Sequence, residues 1–395
     1  MTLNRRITIP YAALFVIVLT MYFIMDTIIR FPYKSVLRWV FPAMLLLAAG
    51  LENGKRFVLL PNAAYLFMLM YFAVTILLCS PVRYYSTQRL ISLVLVVGMH
   101  ATYYSLLRNR HRLDRAVVYI GMISVAYGIV NFLFLGRTVS GRSVGITGNA
   151  NSLGHEANIS LLFSIYFFAK SRRRDKLIWI LLMLTNTVSA FLSGSRTAFV
   201  LLVINYLYFF LEVSQIRRKW MPTTIAILLL LTGFLLPREI LLQVPGLDRL
   251  IIQGTDRGEL WEYAWRVFLN KPLLGHGYGA VNTTTSIKVA EGMGYHSSYL
   301  TVLVETGVIG LLCVSAFVLP VIIKAGKEWL LTRSTELGTM LVLSVSFLLS
   351  FYGESSMTSV GSTEGFLFWG AITWLMFRVG YTGDRPYPEV ASNAS

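Results

Sequence analysis

Arg196 is the first residue of this sequence whose position points to chemistry. It follows Ser193-Gly194-Ser195 at the junction between two apolar runs. A guanidinium buried there without a partner would be strongly destabilising, so we expect Arg196 to face a carboxylate or an anionic ligand. Small neighbours such as Ser195 would let a bulky ligand approach the guanidinium closely. The simpler alternative is that Arg196 only anchors a helix at a membrane interface.

Arg257 is a second candidate, because it opens a segment with the signals of a helix N-terminus. Asp256 can cap this helix, Glu259 follows three residues later, and Asn-Lys-Pro at 270–272 would end it. The backbone N–H groups of a helix N-terminus favour an anion, and the planar guanidinium matches phosphate oxygens. We therefore predict that Arg257 binds an anion. The alternative is a surface charge paired with Asp256 or Glu259.

His296 is the histidine best placed to transfer a proton. It stands immediately before an apolar run, beside Ser297, Ser298 and Tyr299. Because imidazole exchanges a proton near neutral pH, His296 could accept one from a sugar hydroxyl. A purely structural role remains the alternative, and His276, which lies between Gly275 and Gly277, competes for the function.

Three polar residues at or within apolar runs extend this set. Asn149 and Asn151 enter one run and could cap a helix or bind a sugar or pyrophosphate. Glu305 lies inside another run, where a carboxylate is expected to be functional or paired. We expect it to pair with Arg196 or Arg257.

The sequence carries no convincing metal or disulfide pattern. His155-Glu156 begins like a zinc-binding helix, but Ile159 stands where the second histidine would be needed. Cys79 and Cys313 both lie inside apolar segments and are expected to pack there as free thiols. We expect no cofactor.

The composition defines the elements that must position these residues. Of the 395 residues, 55% are hydrophobic and 14% charged, and the mean hydropathy is +0.63, which excludes an ordinary soluble domain. The net charge of +16 does not indicate a nucleic-acid partner, because the basic residues form short clusters between apolar stretches. The sequence predicts an all-α polytopic membrane protein.

Apolar runs of about 20 residues, the length that crosses a bilayer, predict about twelve transmembrane helices. These runs begin near residues 8, 36, 57, 88, 116, 152, 177, 197, 221, 297, 336 and 366. The basic clusters fall between alternate runs, so both termini are predicted to be cytoplasmic. Residues 1–395 would form one membrane domain with a long extracytoplasmic loop at 237–296. Within that loop we expect a short helix from Arg257 with Trp261 and Trp265 as interfacial anchors, then a mobile glycine turn.

Taken in order, these segments resemble the O-antigen ligase and polysaccharide polymerase superfamily over residues from about 145 to 310. The matching positions are the Asn-rich entrance at Asn149 and Asn151, the Ser-Arg motif at Ser195 and Arg196, the loop residues Arg257 and Trp261, the glycine turn at Gly275 and Gly277, and the histidine motif from His296 to Tyr299, followed by Glu305 and Gly307. The family usually has Asn directly after the histidine, whereas this chain has Ser297. Serine can still form a hydrogen bond there.

The resemblance implies an enzyme that acts on undecaprenyl-diphosphate-linked glycans at the outer face of the bacterial cytoplasmic membrane. Arg196 and Arg257 would hold the diphosphate of the donor, and His296 would act as base on the acceptor hydroxyl. The remaining motif residues would contact substrate, namely Asn149, Asn151, Ser195, Trp261, Gly275, Gly277, Tyr299 and Glu305. The partners would be the lipid-linked donor, a glycan or lipid-linked acceptor, the bilayer and other polysaccharide-assembly proteins. Two fixed guanidiniums would make a divalent metal unnecessary.

Several functions stay open. A repeat-unit polymerase is favoured over a ligase that transfers finished chains, although the same catalytic groups would serve both. A flippase or transporter of lipid-linked sugars predicts charges through a central cavity and an internal repeat. No such repeat is evident here. A glycosyltransferase with carboxylates in the first outer loop is disfavoured, because residues 30–34 contain no acid.

Overall fold

The chain is all-α in the computed structural model, which describes residues 4–28, 34–53, 61–107, 110–213, 257–281, 295–357, 359 and 361–380. Within these ranges there are twelve α-helices, one 3₁₀ turn and one two-stranded hairpin. The predicted all-α class is therefore confirmed.

The helix bounds follow the apolar runs of the sequence. The helices are α1 (Asn4–Met25), α2 (Lys34–Asn53), α3 (Ala63–Cys79), α4 (Arg83–Leu106), α5 (Arg110–Leu133), α6 (Ala150–Lys170), α7 (Lys176–Leu192), α8 (Arg196–Val213), α9 (Arg257–Asn270), α10 (Ser298–Thr332), α11 (Thr335–Ser350) and α12 (Thr363–Arg378). Strand β1 (Thr138–Val139) pairs antiparallel with β2 (Arg142–Ser143). The 3₁₀ turn Arg173–Asp175 leads into α7.

Each predicted span corresponds to a helix, except the ninth, which begins near residue 221 and lies outside the described residues. Of the described helices, four are long and apolar enough to cross a membrane by length and composition, namely α4, α5, α7 with its preceding 3₁₀ turn, and α10. Shorter apolar helices accompany them. The total of twelve spans stays a prediction, as does most of the loop at 237–296.

Short polar side chains determine where several helices begin. The apolar runs alone do not specify these first residues. Asn62 accepts a hydrogen bond from Tyr65 N at 2.8 Å and caps α3. Ser334 and Ser362 cap α11 and α12 in the same way. Each cap satisfies a backbone N–H that has no partner within its helix.

Ion pairs divide the described helix ends into two groups, and each group contains only ends that were predicted to share a side of the membrane. The predicted outer ends are joined by Asp26–Arg38 at 3.2 Å and Arg89–Glu305 at 3.1 Å. The predicted cytoplasmic ends are joined by Arg110–Glu328 at 3.2 Å, Lys170–Glu336 at 2.7 Å and Arg378–Asp114 at 3.3 Å. Within the described residues, these ion pairs are therefore consistent with the predicted sides of the helix ends.

Helix α10 is broken at Gly307, where φ is 68°. A side chain at this position would collide with the carbonyl of Leu273. The turn after α9 packs into the break, with Val308 N donating to Pro272 O at 2.8 Å and Gly277 N donating to Glu305 O at 2.7 Å. This turn was expected to be mobile, and that expectation was wrong, because its backbone is bonded to α10.

Candidate active site

Arg257, His296 and Glu354 meet at the predicted outer ends of the helices. Glu354 Oε1 lies 3.5 Å from Arg257 Nη2, and its Oε2 lies 3.9 Å from His296 Nδ1. The side chains of Arg257 and His296 are 26% and 34% exposed, whereas that of Glu354 is 16% exposed. One shielded carboxylate therefore faces both a guanidinium and an imidazole that are open to a ligand.

Arg257 is fixed by the first turn of α9 and by the segment after α11. Its Nη1 donates to Gly353 O at 2.5 Å. Gly353 leaves space for this approach, since a side chain there would lie 3.2 Å from Nη1. The guanidinium is thus aimed by a backbone carbonyl and a carboxylate on one neighbouring segment.

Ser298 ties the same segment to the start of α10. Its backbone N–H donates to Phe351 O at 2.8 Å and Glu354 O at 2.9 Å, and its hydroxyl donates to Glu354 O at 2.6 Å. Because Ser298 follows Ser297, the N-cap of α10, His296 and Glu354 are held on two joined backbones. Their separation is set by this junction.

His296 itself has left-handed backbone geometry, with φ at 48°. The preceding Tyr295 is anchored to α9, since Trp261 Nε1 donates to Tyr295 O at 3.0 Å. Trp261 also packs edge-on against Tyr352, with ring centroids 5.1 Å apart. Trp261 was predicted to be an interfacial anchor and substrate contact, and the structure gives it the further role of positioning His296.

Tyr295 is a nearby titratable group that could compete with His296 as a base. Its side chain is buried and its hydroxyl has no hydrogen-bond partner. Burial raises the pKa of Tyr295 well above its ordinary value, and neighbouring Tyr263 and Glu305 raise it further. The phenol therefore stays protonated and is disfavoured as a base.

Asn151 connects Glu354 to the hairpin and to the end of α7. Asn151 Nδ2 donates to Glu354 Oε1 at 2.9 Å, and its Oδ1 accepts from Arg142 Nη2 at 2.7 Å. Arg142 Nε in turn donates to Ser193 O at 2.7 Å. The predicted polar residue Asn151 thus belongs to the cluster, through a carboxylate that the sequence did not single out.

Arg196 lies at the first position of α8, close to this cluster, and is half-buried. Its neighbour Thr197 packs against Gly353, with Thr197 Oγ1 3.1 Å from where a side chain on Gly353 would begin. Arg257 Nη1 lies 3.2 Å from the same point. The start of α8 and the start of α9 therefore meet at Gly353.

Asn149 and Ser195 make local capping bonds. Asn149 Oδ1 accepts from Asn151 N at 2.8 Å and caps α6. Ser195 Oγ accepts from Ala198 N at 3.4 Å in the first turn of α8. Both side chains hold helix entrances at the cluster, and their predicted contact with substrate stays a prediction.

Glu305 pairs with Arg89, so the expectation that it would pair with Arg196 or Arg257 was wrong. Its fully buried carboxylate lies 3.1 Å from Arg89 Nη1 and accepts from Val281 N at 3.2 Å. Helix α4 brings Arg89 to this point, and the glycine turn brings Val281. The positions of these residues in the sequence do not indicate that Arg89 or Val281 lies next to Glu305.

The other predicted contacts are engaged within the protein. Tyr299 donates to Leu348 O at 2.6 Å. Gly275 and Gly277 have positive φ and pack directly against Glu305 and Ser80. His276 has one ring nitrogen 3.0 Å from Val267 O, which makes it a weaker candidate for the base than His296.

The described part of the chain has no group of three His, Cys, Asp or Glu residues that could hold a metal ion. Both cysteines are free thiols, as predicted. The functional groups of the cluster are a guanidinium, an imidazole and a carboxylate. This set can bind an anion and accept a proton in one place.

The match of this chain to a known family covers the helices and loop that carry the two arginines and the histidine. Residues 180–315 match the O-antigen ligase family. The match confirms the predicted relation to the O-antigen ligase and polysaccharide polymerase superfamily. No curated protein matches the sequence. The O-antigen ligase segment contains Arg196, Arg257 and His296, whereas Asn151 precedes it and Glu354 follows it.

Glu354 and Arg142 are the members of the cluster that sequence reasoning missed. Glu354 stands in Gly353-Glu354-Ser355-Ser356, an acid among small residues between two apolar runs. Arg196 was selected because it is a charged residue beside small residues between two apolar runs. Glu354 has the same setting and the opposite charge.

Proposed function

We propose that this protein is a membrane glycosyltransferase that transfers a glycan from an undecaprenyl-diphosphate carrier onto a sugar hydroxyl. The reaction would take place at the outer face of the bacterial cytoplasmic membrane, and repeat-unit polymerisation is the favoured form. The observation that carries the proposal is the meeting of Arg257 and His296 on Glu354 at the predicted outer helix ends. The O-antigen ligase match over the same segment supports it.

The step would be a displacement at the anomeric carbon of the donor sugar. The acceptor hydroxyl oxygen forms the new bond to that carbon, the bond from the carbon to the diphosphate oxygen breaks, and the hydroxyl proton passes to His296. Negative charge grows on the departing lipid diphosphate. Arg257, with Arg196 at the start of α8, would stabilise that charge in a poorly hydrated site.

Glu354 would orient the two catalytic side chains. A carboxylate facing Nδ1 favours the tautomer that leaves Nε2 free to accept the proton. The present separation of 3.9 Å is too long for a hydrogen bond. Such contacts commonly tighten when substrate binds.

The proposed mechanism draws its charge stabilisation from the arginines and needs no divalent metal. Treatment with EDTA should therefore leave the transfer rate unchanged, and addition of Mg²⁺ should not raise it. Strong EDTA inhibition that Mg²⁺ reverses would contradict this part of the proposal.

Polymerase and ligase can be separated with one purified lipid-linked repeat unit as the sole substrate. A polymerase uses the repeat as both donor and acceptor, so purified protein should produce a ladder of products that differ by one repeat. A ligase would leave this substrate unchanged until a separate acceptor is added. Heat-treated protein is the control for spontaneous products.

A further inference from the structure

A polar cavity adjoins the candidate active site and shares two of its residues. Glu354 and Asn151 line both, and all nine residues around the cavity are Asp, Glu, Asn or Ser. Its volume is about 160 Å³, whereas a single water needs only about 10–15 Å³. The space therefore suits a polar organic group larger than one water.

The cavity is strongly acidic. Its carboxyl groups come from Asp26 after α1, Glu156 on α6, Glu354, and Glu364 on α12. Among the described residues, no Lys, Arg or His lines it. A phosphate or carboxylate placed here would meet like charges, which costs binding free energy.

Three of these four carboxyls have partners within the protein. Asp26 accepts from Thr363 N at 2.6 Å and pairs with Arg38. Glu364 Oε1 lies 2.8 Å from His155 Nδ1. Glu354 is bound by Asn151 and faces Arg257.

Glu156 is different, because among the described residues its carboxyl has no partner. Its residue is only 3% exposed, and Oε2 is buried without a hydrogen bond. A buried polar group that lacks a partner is costly, so such groups are usually satisfied by a ligand or by water. Glu156 lines the cavity, so a ligand there would supply the missing partner when the carboxyl turns toward it.

We propose that this cavity binds the acceptor sugar, and that it selects a sugar bearing hydroxyl or amino groups and no acidic group. The inference rests on the proposed function and specifies its acceptor. Carboxyl, amide and hydroxyl side chains are the groups that hydrogen-bond a polyol. The donor diphosphate would bind at Arg257, on one side of Glu354. The acceptor sugar would bind in the acidic cavity on the other side.

Glu354 lies between the cavity and His296, so the two substrates would bind next to each other. It lines the cavity and also lies 3.9 Å from His296 Nδ1. His296 does not itself line the cavity, so a bound sugar would extend past Glu354 to bring a hydroxyl to the imidazole, while the diphosphate occupies Arg257. Glu156, on the cavity wall, is then a sugar-binding residue that does not take part in the chemistry.

The test measures sugar binding directly by saturation-transfer NMR on the purified full-length protein. The probes are methyl glucoside, methyl glucosaminide and methyl glucuronide, which differ in charge on one ring scaffold. The glucoside and the glucosaminide should bind, and the glucuronide should bind at least about tenfold more weakly. Equal binding of the glucuronide by the wild type would overturn the proposal.

Two substitutions of Glu156 test whether its carboxyl binds the sugar. Glu156→Leu should weaken glucoside binding by about tenfold, because a buried hydrogen-bond partner is lost. Glu156→Gln keeps the shape and the hydrogen bonding, so it should retain glucoside binding. The control is Glu262→Gln, an exposed carboxyl on α9 paired only with Arg266 among described residues, which should bind like the wild type.

The outcomes separate this inference from the proposed function. If a folded Glu156→Leu variant binds the glucoside as tightly as the wild type, the cavity assignment is wrong. If Glu156→Leu fails to fold, equal binding of the glucoside and the glucuronide by the wild type is the outcome that overturns it. If transfer occurs and Glu156→Leu leaves the acceptor KM unchanged, the cavity is not the acceptor site. If the wild type binds sugars with the stated selectivity but transfers no glycan, the proposed function fails alone.

Discussion

Glu354 joins the two side chains on which the proposed transfer depends. It faces Arg257 and His296 with its two oxygens and is held by Asn151. A carboxylate in this position has opposing effects. In the proposed reaction it would orient the imidazole, and it would compete with the donor diphosphate for the guanidinium.

Replacing this carboxylate with its neutral isostere should separate the two effects. In Glu354→Gln, kcat should fall by about fivefold, since a partly exposed charge pair contributes about 1 kcal/mol. The donor KM should stay unchanged or fall, because Arg257 loses its internal competitor. Steady-state transfer with a lipid-linked donor gives both constants, and Glu262→Gln is the control. An increase in donor KM with an unchanged kcat would show that Glu354 only supports substrate binding.

At this scale the sequence predicted the basic half of the site and missed the acidic half. Arg196, Arg257 and His296 were found because a cation or an imidazole at an apolar boundary requires an explanation. Glu354 carries the same kind of signal but lies 58 positions after His296 by numbering. Only folding shows that Ser298 joins the two segments.

The break in α10 is the element that brings the loop to the helices. At Gly307 the backbone leaves the helical region, and the turn after α9 fills the gap through Pro272, Leu273 and Gly277. Helix α9 precedes this turn and carries Arg257. The break therefore helps to fix Arg257 relative to His296 at the start of α10.

Adding one methyl group at the break should destabilise the protein. Gly307→Ala must adopt a backbone conformation that only glycine readily takes and must displace the Leu273 carbonyl, at a cost of about 2 kcal/mol or more. Gly326→Ala on the same helix is the matched control, since its nearest atom would be 3.9 Å away, and alanine favours a helix. Thermal unfolding in detergent should show a lower Tm for Gly307→Ala only. Equal Tm values would contradict the packing described for this break.

Helix positions were predictable because apolar runs of membrane length leave the backbone few alternatives. The packing of the glycine turn against α10 was not predictable, because a glycine-rich segment indicates backbone flexibility and does not show which helix the segment will contact. Here Tyr278, 1% exposed and stacked on Phe72, supplies the burial that fixes the turn. The hydrophobic contact, together with the backbone bonds to α10, overrides the local flexibility of the glycines.

Across the whole molecule, charge is separated into layers. The ion pairs of the predicted cytoplasmic ends lie apart from the cluster around Glu354. Within that cluster Arg257 faces Glu354, which lines an acidic cavity. The sequence predicted the first separation from the alternation of basic loops. It did not predict the second, because the cavity is assembled from the residue after α1, the start of α6, the start of α12 and the segment before α12.

In the proposed mechanism, a guanidinium at the start of α9 holds the departing diphosphate during glycan transfer. The decisive experiment compares the transfer rate of Arg257→Ala with those of the wild type and Arg266→Ala, using a purified lipid-linked repeat. Arg266 lies on the same helix, is 71% exposed and pairs with Glu262. Arg257→Ala should lose about a hundredfold or more in rate while keeping the wild-type Tm, and Arg266→Ala should be unaffected. Wild-type transfer by a folded Arg257→Ala variant would contradict the account.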